Sequence, residues 1–189
     1  MSAKIILVGG GARSGKSRFA LAYARSLGER RVFVATAQAF DGEMRDRIGR
    51  HRDERGRDFT TVEEPLELAR VLREVGDVNV VLVDCLTLWL SNLLLRERSA
   101  DAIEREVENV VAELRPRRHH VVLVSNEVGL GIVPENTLAR QFRDCAGRLH
   151  QRLAEEADEV YFAAMGMMLR LVPAPVVGLR PGEIPTGTS

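Results

Sequence analysis

The chain has 189 residues, 45% of them hydrophobic, which suits one domain with a core of its own. Its 27 basic and 27 acidic residues give a formal net charge of zero, excluding the extended basic surface that nucleic acid or an anionic membrane selects. Two cysteines, Cys85 and Cys145, form no C-x-x-C pair, so neither a disulfide scaffold nor a cysteine-based zinc site is expected, and a reducing, cytoplasmic setting is.

Ile5-Ile6-Leu7-Val8 reads as a short strand buried on both faces and closed by glycines. It is too short for a signal peptide's apolar region or a membrane span, and Leu86 to Leu95 is broken by Thr87, Ser91 and Asn92, so no membrane segment is expected. From Lys16, the residues Phe19, Ala20, Tyr23, Ala24 and Leu27 recur at helical spacing until Gly28. Val32 to Ala37 is a second buried strand, and Asp41 can cap a helix running through Met44 and Ile48 to about Arg52. Thr60 to Val62 reads as a strand, Leu66 to Val75 as a helix with Pro65 near its start, and Val78 to Val83 as a strand ending at Asp84. Helices follow over Leu86 to Arg96 and Asp101 to Leu114, then a strand over Val121 to Val124. A helix from about Thr137 to Ala157 and strands over Val160 to Ala164 and Leu169 to Val172 complete the set.

Strands alternating with helices imply an α/β fold, a mainly parallel sheet with helices on both faces. The domain is placed at residues 1–172. Residues 173–189 hold four of the seven prolines, and a poorly ordered or surface-hugging tail is expected there.

Gly10-Gly11-Ala12-Arg13-Ser14-Gly15-Lys16-Ser17 fits G-x-x-x-x-G-K-[ST] between a strand and a helix. Glycines let successive N–H groups turn inward onto phosphate oxygens, and the helix dipole behind them favours negative charge. Lys16 would reach the β- and γ-phosphates and the Ser17 hydroxyl would coordinate Mg²⁺, so the chain is expected to use a nucleoside triphosphate. Such loops work with an acidic residue at the end of a neighbouring strand. Asp84 and Glu127 both qualify. Asp84, immediately adjacent to its strand, fits better, with helix capping as its bland alternative, whereas Glu127 could serve substrate or fold.

In the Asp41 to Arg57 segment, His51 falls on the same helical face as Met44 and Ile48. From spacing alone, a histidine on such a face is more often structural than catalytic. Arg45, Arg47, Arg50, Arg52, Arg55 and Arg57 are either solvated surface paired with neighbouring acids or clamps for triphosphate oxygens. His119, His120 and His150 form no spaced metal set and read as structural or surface residues. No G-x-S-x-G elbow and no N-K-x-D guanine signature is present.

Together these residues resemble the bifunctional adenosylcobinamide kinase/adenosylcobinamide-phosphate guanylyltransferase family of cobalamin assembly. The likeness runs from Ile5 to about Leu171. The phosphate loop alone would not be specific to that family. Its distinctive parts are Asp41-Gly42-Glu43-Met44 with Arg47-Ile48 and His51, and Ser125-Asn126-Glu127-Val128-Gly129-Leu130-Gly131-Ile132-Val133-Pro134-Glu135-Asn136. Ala35-Thr36-Ala37, Asp84-Cys85-Leu86-Thr87, and Arg140 with Phe142-Arg143-Asp144 and Ala146-Gly147-Arg148 accompany them.

The resemblance implies a RecA-like P-loop NTPase fold, a homotrimer, and GTP, ATP and Mg²⁺ as nucleotide substrates and metal. It implies phosphorylation of adenosylcobinamide, then transfer of GMP from GTP through a guanylyl-histidine to give adenosylcobinamide-GDP. By the same likeness the nucleophile is His51, the histidine of the Glu43-Met44…Arg47-Ile48…His51 segment, and Arg50 stands where some members carry a second histidine. Nucleotide contacts are implied at Ala35, Thr36, Ala37, Arg52, Asp53, Glu54, Arg55, Glu63 and Asp84, with metal contacts at Ser17 and Asp84. Met165-Gly166-Met167-Met168 departs from the pattern. The alternatives are a monofunctional small-molecule kinase with a structural His51, or a nucleotide-binding regulator.

Overall fold

Ile5–Gly10 forms β1, and its alternating side chains divide between two cores, Ile5 and Leu7 on one face and Ile6 and Val8 on the other. The computed structural model describes residues 2–38, 56–97 and 99–179, together with Gly42 and Gly49, which are both helical. After β1 come α1 (Lys16–Ser26), β2 (Arg31–Ala35), β3 (Thr60–Glu63), α2 (Leu68–Glu74), β4 (Val80–Asp84) and α3 (Leu86–Glu97). The chain continues through α4 (Ala100–Leu114), β5 (His120–Val124), α5 (Thr137–Glu156), β6 (Glu159–Ala164), β7 (Met167–Val172) and β8 (Val177–Leu179).

Eight strands form one sheet in the order β3-β2-β4-β5-β1-β6-β7-β8. The first six run parallel and the last two turn back antiparallel. The apolar faces of α2, α3, α4 and α5 cover one side, where Trp89 is fully buried and donates Nε1–H to the Leu66 carbonyl at 2.7 Å. On the other side Phe19, Ala20, Tyr23 and Ala24 of α1 pack on Ile6, Val8, Leu82, Val122 and Val124. Burying each large apolar side chain contributes about 1.5–3 kcal/mol, which is why these periodic residues define the layers.

The expected α/β architecture is present, with boundaries shifted by a residue or two. The chain past Pro173 is not tail throughout, because Val177–Leu179 pairs with β7 as a further strand. Met165 (φ 53°) and Gly166 (φ 77°) make the tight turn between β6 and β7.

The carboxyl ends of the parallel strands form the edge where ligands gather in such sheets. Glu63, Ala35, Asp84, Val124 and Val8 are successive register partners, forming one row across five strands. At the opposite edge Glu159 is buried and accepts from Lys4 Nζ (2.7 Å), Tyr23 (2.7 Å) and Tyr161 (2.6 Å), fastening β6 to β1 and α1.

Candidate functional site

Gly10 closes β1 at φ 149° and Gly15 precedes α1 at φ 93°, backbone states that favour glycine. Between them Ala12 and Arg13 are exposed, and the loop runs directly into Lys16, the first residue of α1. Lys16 is only 8% exposed, and its ammonium donates to the Gly11 carbonyl at 3.0 Å, so its charge is held over the loop. The Ser14 hydroxyl is buried within the loop and makes no hydrogen bond among the described residues. Ser17, one residue into α1, is half-buried.

Asp84 ends β4. Its strand is not the immediate neighbour of β1, since β5 lies between them and separates the two backbones by about 10 Å. Cys85, the residue after Asp84, is buried, and burial raises its pKa first, with the adjacent Asp84 carboxylate raising it further against the smaller opposing effect of its Thr87 hydrogen bond.

The ends of β2, β4 and β5 are tied to one another by side chains. The Thr36 hydroxyl donates to the Cys85 carbonyl (2.8 Å) and accepts from the Cys85 N–H (2.9 Å). Asn92 donates to the Thr36 (2.9 Å) and Pro65 (3.0 Å) carbonyls. Asn126 Nδ2 donates to the Thr87 hydroxyl at 2.8 Å, joining β5 to the start of α3. Thr36 is fully buried, so its side chain serves these links, while Ala35 and Ala37 on either side are half-buried. Glu63 is exposed at the end of β3, at the margin of the row. His51, Arg52, Asp53, Glu54 and Arg55 lie outside the described residues.

The segment after β5 is anchored to the phosphate loop: Ser125 N–H donates to the Val8 carbonyl (3.0 Å) and Glu127 N–H to the Gly10 carbonyl (2.9 Å). The Glu127 carboxylate accepts the Gly129 N–H, and Arg143 on α5 donates to the Gly129 carbonyl. Asn136 caps α5 by accepting from Ala139 N–H at 2.7 Å, and Arg140 holds the Pro134 carbonyl at 3.1 Å.

His150, read from sequence as structural or surface, reaches this segment from α5. Its Nε2 lies 2.6 Å from Ser125 Oγ and its Nδ1 3.6 Å from Glu127 Oε2. Burial holds its pKa below the ordinary histidine range, against the opposing pull of Glu127, so the ring is neutral near pH 7. Ser125 and His150 are 25 residues apart, and no local spacing could have paired them. His120 begins β5 and accepts the Lys4 N–H on Nδ1 at 3.0 Å, a structural role as read.

A family model described as cobinamide kinase / cobinamide phosphate guanyltransferase matches residues 6–171. A Pseudomonas aeruginosa protein named bifunctional adenosylcobalamin biosynthesis protein CobP is 45% identical over 171 residues, covering 90% of this chain and 98% of that protein. The Escherichia coli K12 protein named bifunctional adenosylcobalamin biosynthesis protein CobU is 39% identical, covering 88% of this chain and 99% of that one. Among solved structures, the RadB recombinase superposes with a TM-score of 0.51 at 16% identity, covering 89% of this chain and 80% of that one, which identifies the fold as RecA-like.

Proposed function

This chain belongs to the cobinamide kinase / cobinamide phosphate guanyltransferase family, and from that premise we propose that it carries out both reactions on one nucleotide site. It phosphorylates adenosylcobinamide with ATP or GTP, then transfers GMP from GTP to the new phosphate, giving adenosylcobinamide-GDP. The observation that carries this reading is the phosphate loop at the carboxyl edge of the sheet, with the Lys16 ammonium held over it, in a chain matched by the family model over residues 6–171.

In the first step the acceptor hydroxyl oxygen attacks the γ-phosphorus and the nucleoside diphosphate leaves with the bridging oxygen. The loop N–H groups and the α1 dipole hold the phosphates, and the Lys16 ammonium offsets the developing charge. In the second step a His51 ring nitrogen attacks the α-phosphorus of GTP and pyrophosphate leaves. The substrate phosphate then attacks the phosphoramidate and releases the histidine. A neutral imidazole is nucleophilic near pH 7, and it leaves readily once the phosphoramidate nitrogen is protonated.

No group of three or more His, Cys, Asp or Glu able to hold a metal occurs among the described residues. The Ser17 hydroxyl and Asp84 carboxylate are hard oxygen donors, and so sparse a set suits Mg²⁺, which takes its remaining ligands from phosphate and water. When bound, that ion would neutralise charge on the transferring phosphates.

Ala35, Thr36, Ala37, Arg52, Asp53, Glu54, Arg55 and Glu63 are proposed as the remaining nucleotide contacts. Leu130 and Ile132, 82% and 96% exposed, follow closely on Glu127 and offer apolar surface to a large amphipathic acceptor. A homotrimer working in the cytoplasm completes the reading. No helix among the described residues is long and apolar enough to cross a membrane.

Incubation with α-labelled GTP tests the proposal. Wild-type protein should yield an acid-labile covalent guanylyl adduct. His51→Ala should lose the adduct while still binding nucleotide, and Lys16→Ala should be impaired in both activities. Kinase activity without any adduct would leave a monofunctional kinase with a structural His51.

A further inference from the structure

The end of β5, beside the phosphate loop, carries an acid that the steps above leave unused. Glu127 N–H is bonded to the Gly10 carbonyl, and β5 lies between the strands that supply the loop and Asp84. Among the strand ends that carry acids, those of β3, β4 and β5, only that of β5 is a direct neighbour of the loop strand in the sheet.

The Glu127 side chain is held from two sides. Gly129 N–H donates to Oε1, so the backbone two residues on closes against the carboxylate. On Oε2, His150 Nδ1 stands at 3.6 Å. The other ring nitrogen, Nε2, is hydrogen-bonded to the buried Ser125 hydroxyl at 2.6 Å, which fixes the ring beside the carboxylate. Ser125 itself is fully buried and cannot act as a nucleophile. The side chain of Glu127 stays a quarter exposed.

We propose that Glu127 is the general base of the phosphoryl-transfer step, with His150 as its positioning residue. The assignment rests on the functional reading above. As the acceptor hydroxyl oxygen bonds to the γ-phosphorus, its proton passes to the Glu127 carboxylate. The bond from γ-phosphorus to the bridging oxygen breaks, its electron pair leaves on the nucleoside diphosphate, and Glu127 then returns the proton to water. His150 does not touch the substrate. It holds the carboxylate in place from the side of α5.

The test is steady-state phosphorylation of adenosylcobinamide by full-length protein with γ-labelled nucleotide, alongside nucleotide binding by titration. A positioned base contributes about 10²- to 10⁴-fold. Glu127→Gln should therefore lower kcat at least 100-fold, with the nucleotide Kd within about three-fold of wild type. His150→Gln should lower kcat about ten-fold at unchanged KM, and should cost nothing further in the Glu127→Gln background, because the two act as a unit. If Glu127→Gln does not fold, Glu127→Asp withdraws the carboxylate and should itself reduce kcat about ten-fold. A kcat within three-fold of wild type in Glu127→Gln or, in its place, Glu127→Asp overturns the assignment. Wild-type protein that phosphorylates no adenosylcobinamide overturns the functional reading and this assignment together, a result distinct from an active wild type with an active variant.

Discussion

A Cβ at Gly10 would stand 2.6 Å from the Ala163 carbonyl oxygen and 2.8 Å from its Cβ, in a backbone state at φ 149°. Both neighbours belong to β6, so neither can swing aside as a flexible side chain would. Gly10→Ala should cost about 2 kcal/mol in urea unfolding and weaken nucleotide binding at least ten-fold, because strain at this position spreads into the loop. Stability and affinity both at wild-type values would contradict that account. At this scale the glycines and Lys16 of the loop were readable because a phosphate loop demands particular residue types at particular spacing, and Asp84 as the acid that ends a buried strand. Glu127 was visible as an acid just past a strand but had two roles open. His150 gave no signal, since its partners lie far off in the chain and meet it only when α5 packs beside β5.

The strands and helices were largely legible, since apolar runs and helical periodicity are dictated by which faces must be buried. β8 escaped because three residues among prolines carry no period of their own, and their strand state depends on pairing with β7. The attachment of β6 depends on Glu159. Burial raises its pKa, but hydrogen bonds from Lys4, Tyr161 and Tyr23 outweigh that and hold it below the ordinary carboxylate range. Burial and the same carboxylate keep both phenols well above the usual tyrosine range. With the folded pKa depressed, the contribution of Glu159 is fully present above about pH 4.3 and is lost as pH falls through the lower folded value. Glu159→Gln should therefore cost about 2–3 kcal/mol at pH 7, and the gap to wild type should close toward pH 3. A pH-independent gap in urea midpoints would show that Glu159 acts through packing rather than charge.

At the scale of the whole molecule, parallel strands linked by helices bring residues from five strand ends to one edge, and alternation along the chain was enough to anticipate it. The order of those strands was not legible. Periodicity says which segments are strands but not which ones pair, so the placement of β5 between the loop strand and the Asp84 strand emerges only from the packed structure. The expected homotrimer predicts a sedimenting species of three 21.0 kDa chains, and a monomer with both activities would rule out a site shared between chains.

The central claim is that one phosphate loop presents two different phosphates for attack, γ to a substrate hydroxyl and α to a histidine. GTP labelled distinguishably at the α and γ positions, incubated with adenosylcobinamide and the wild-type protein, tests it most directly. The account predicts a single cobinamide product carrying both labels in equal amount. A product carrying the γ label alone, or neither label, would contradict it.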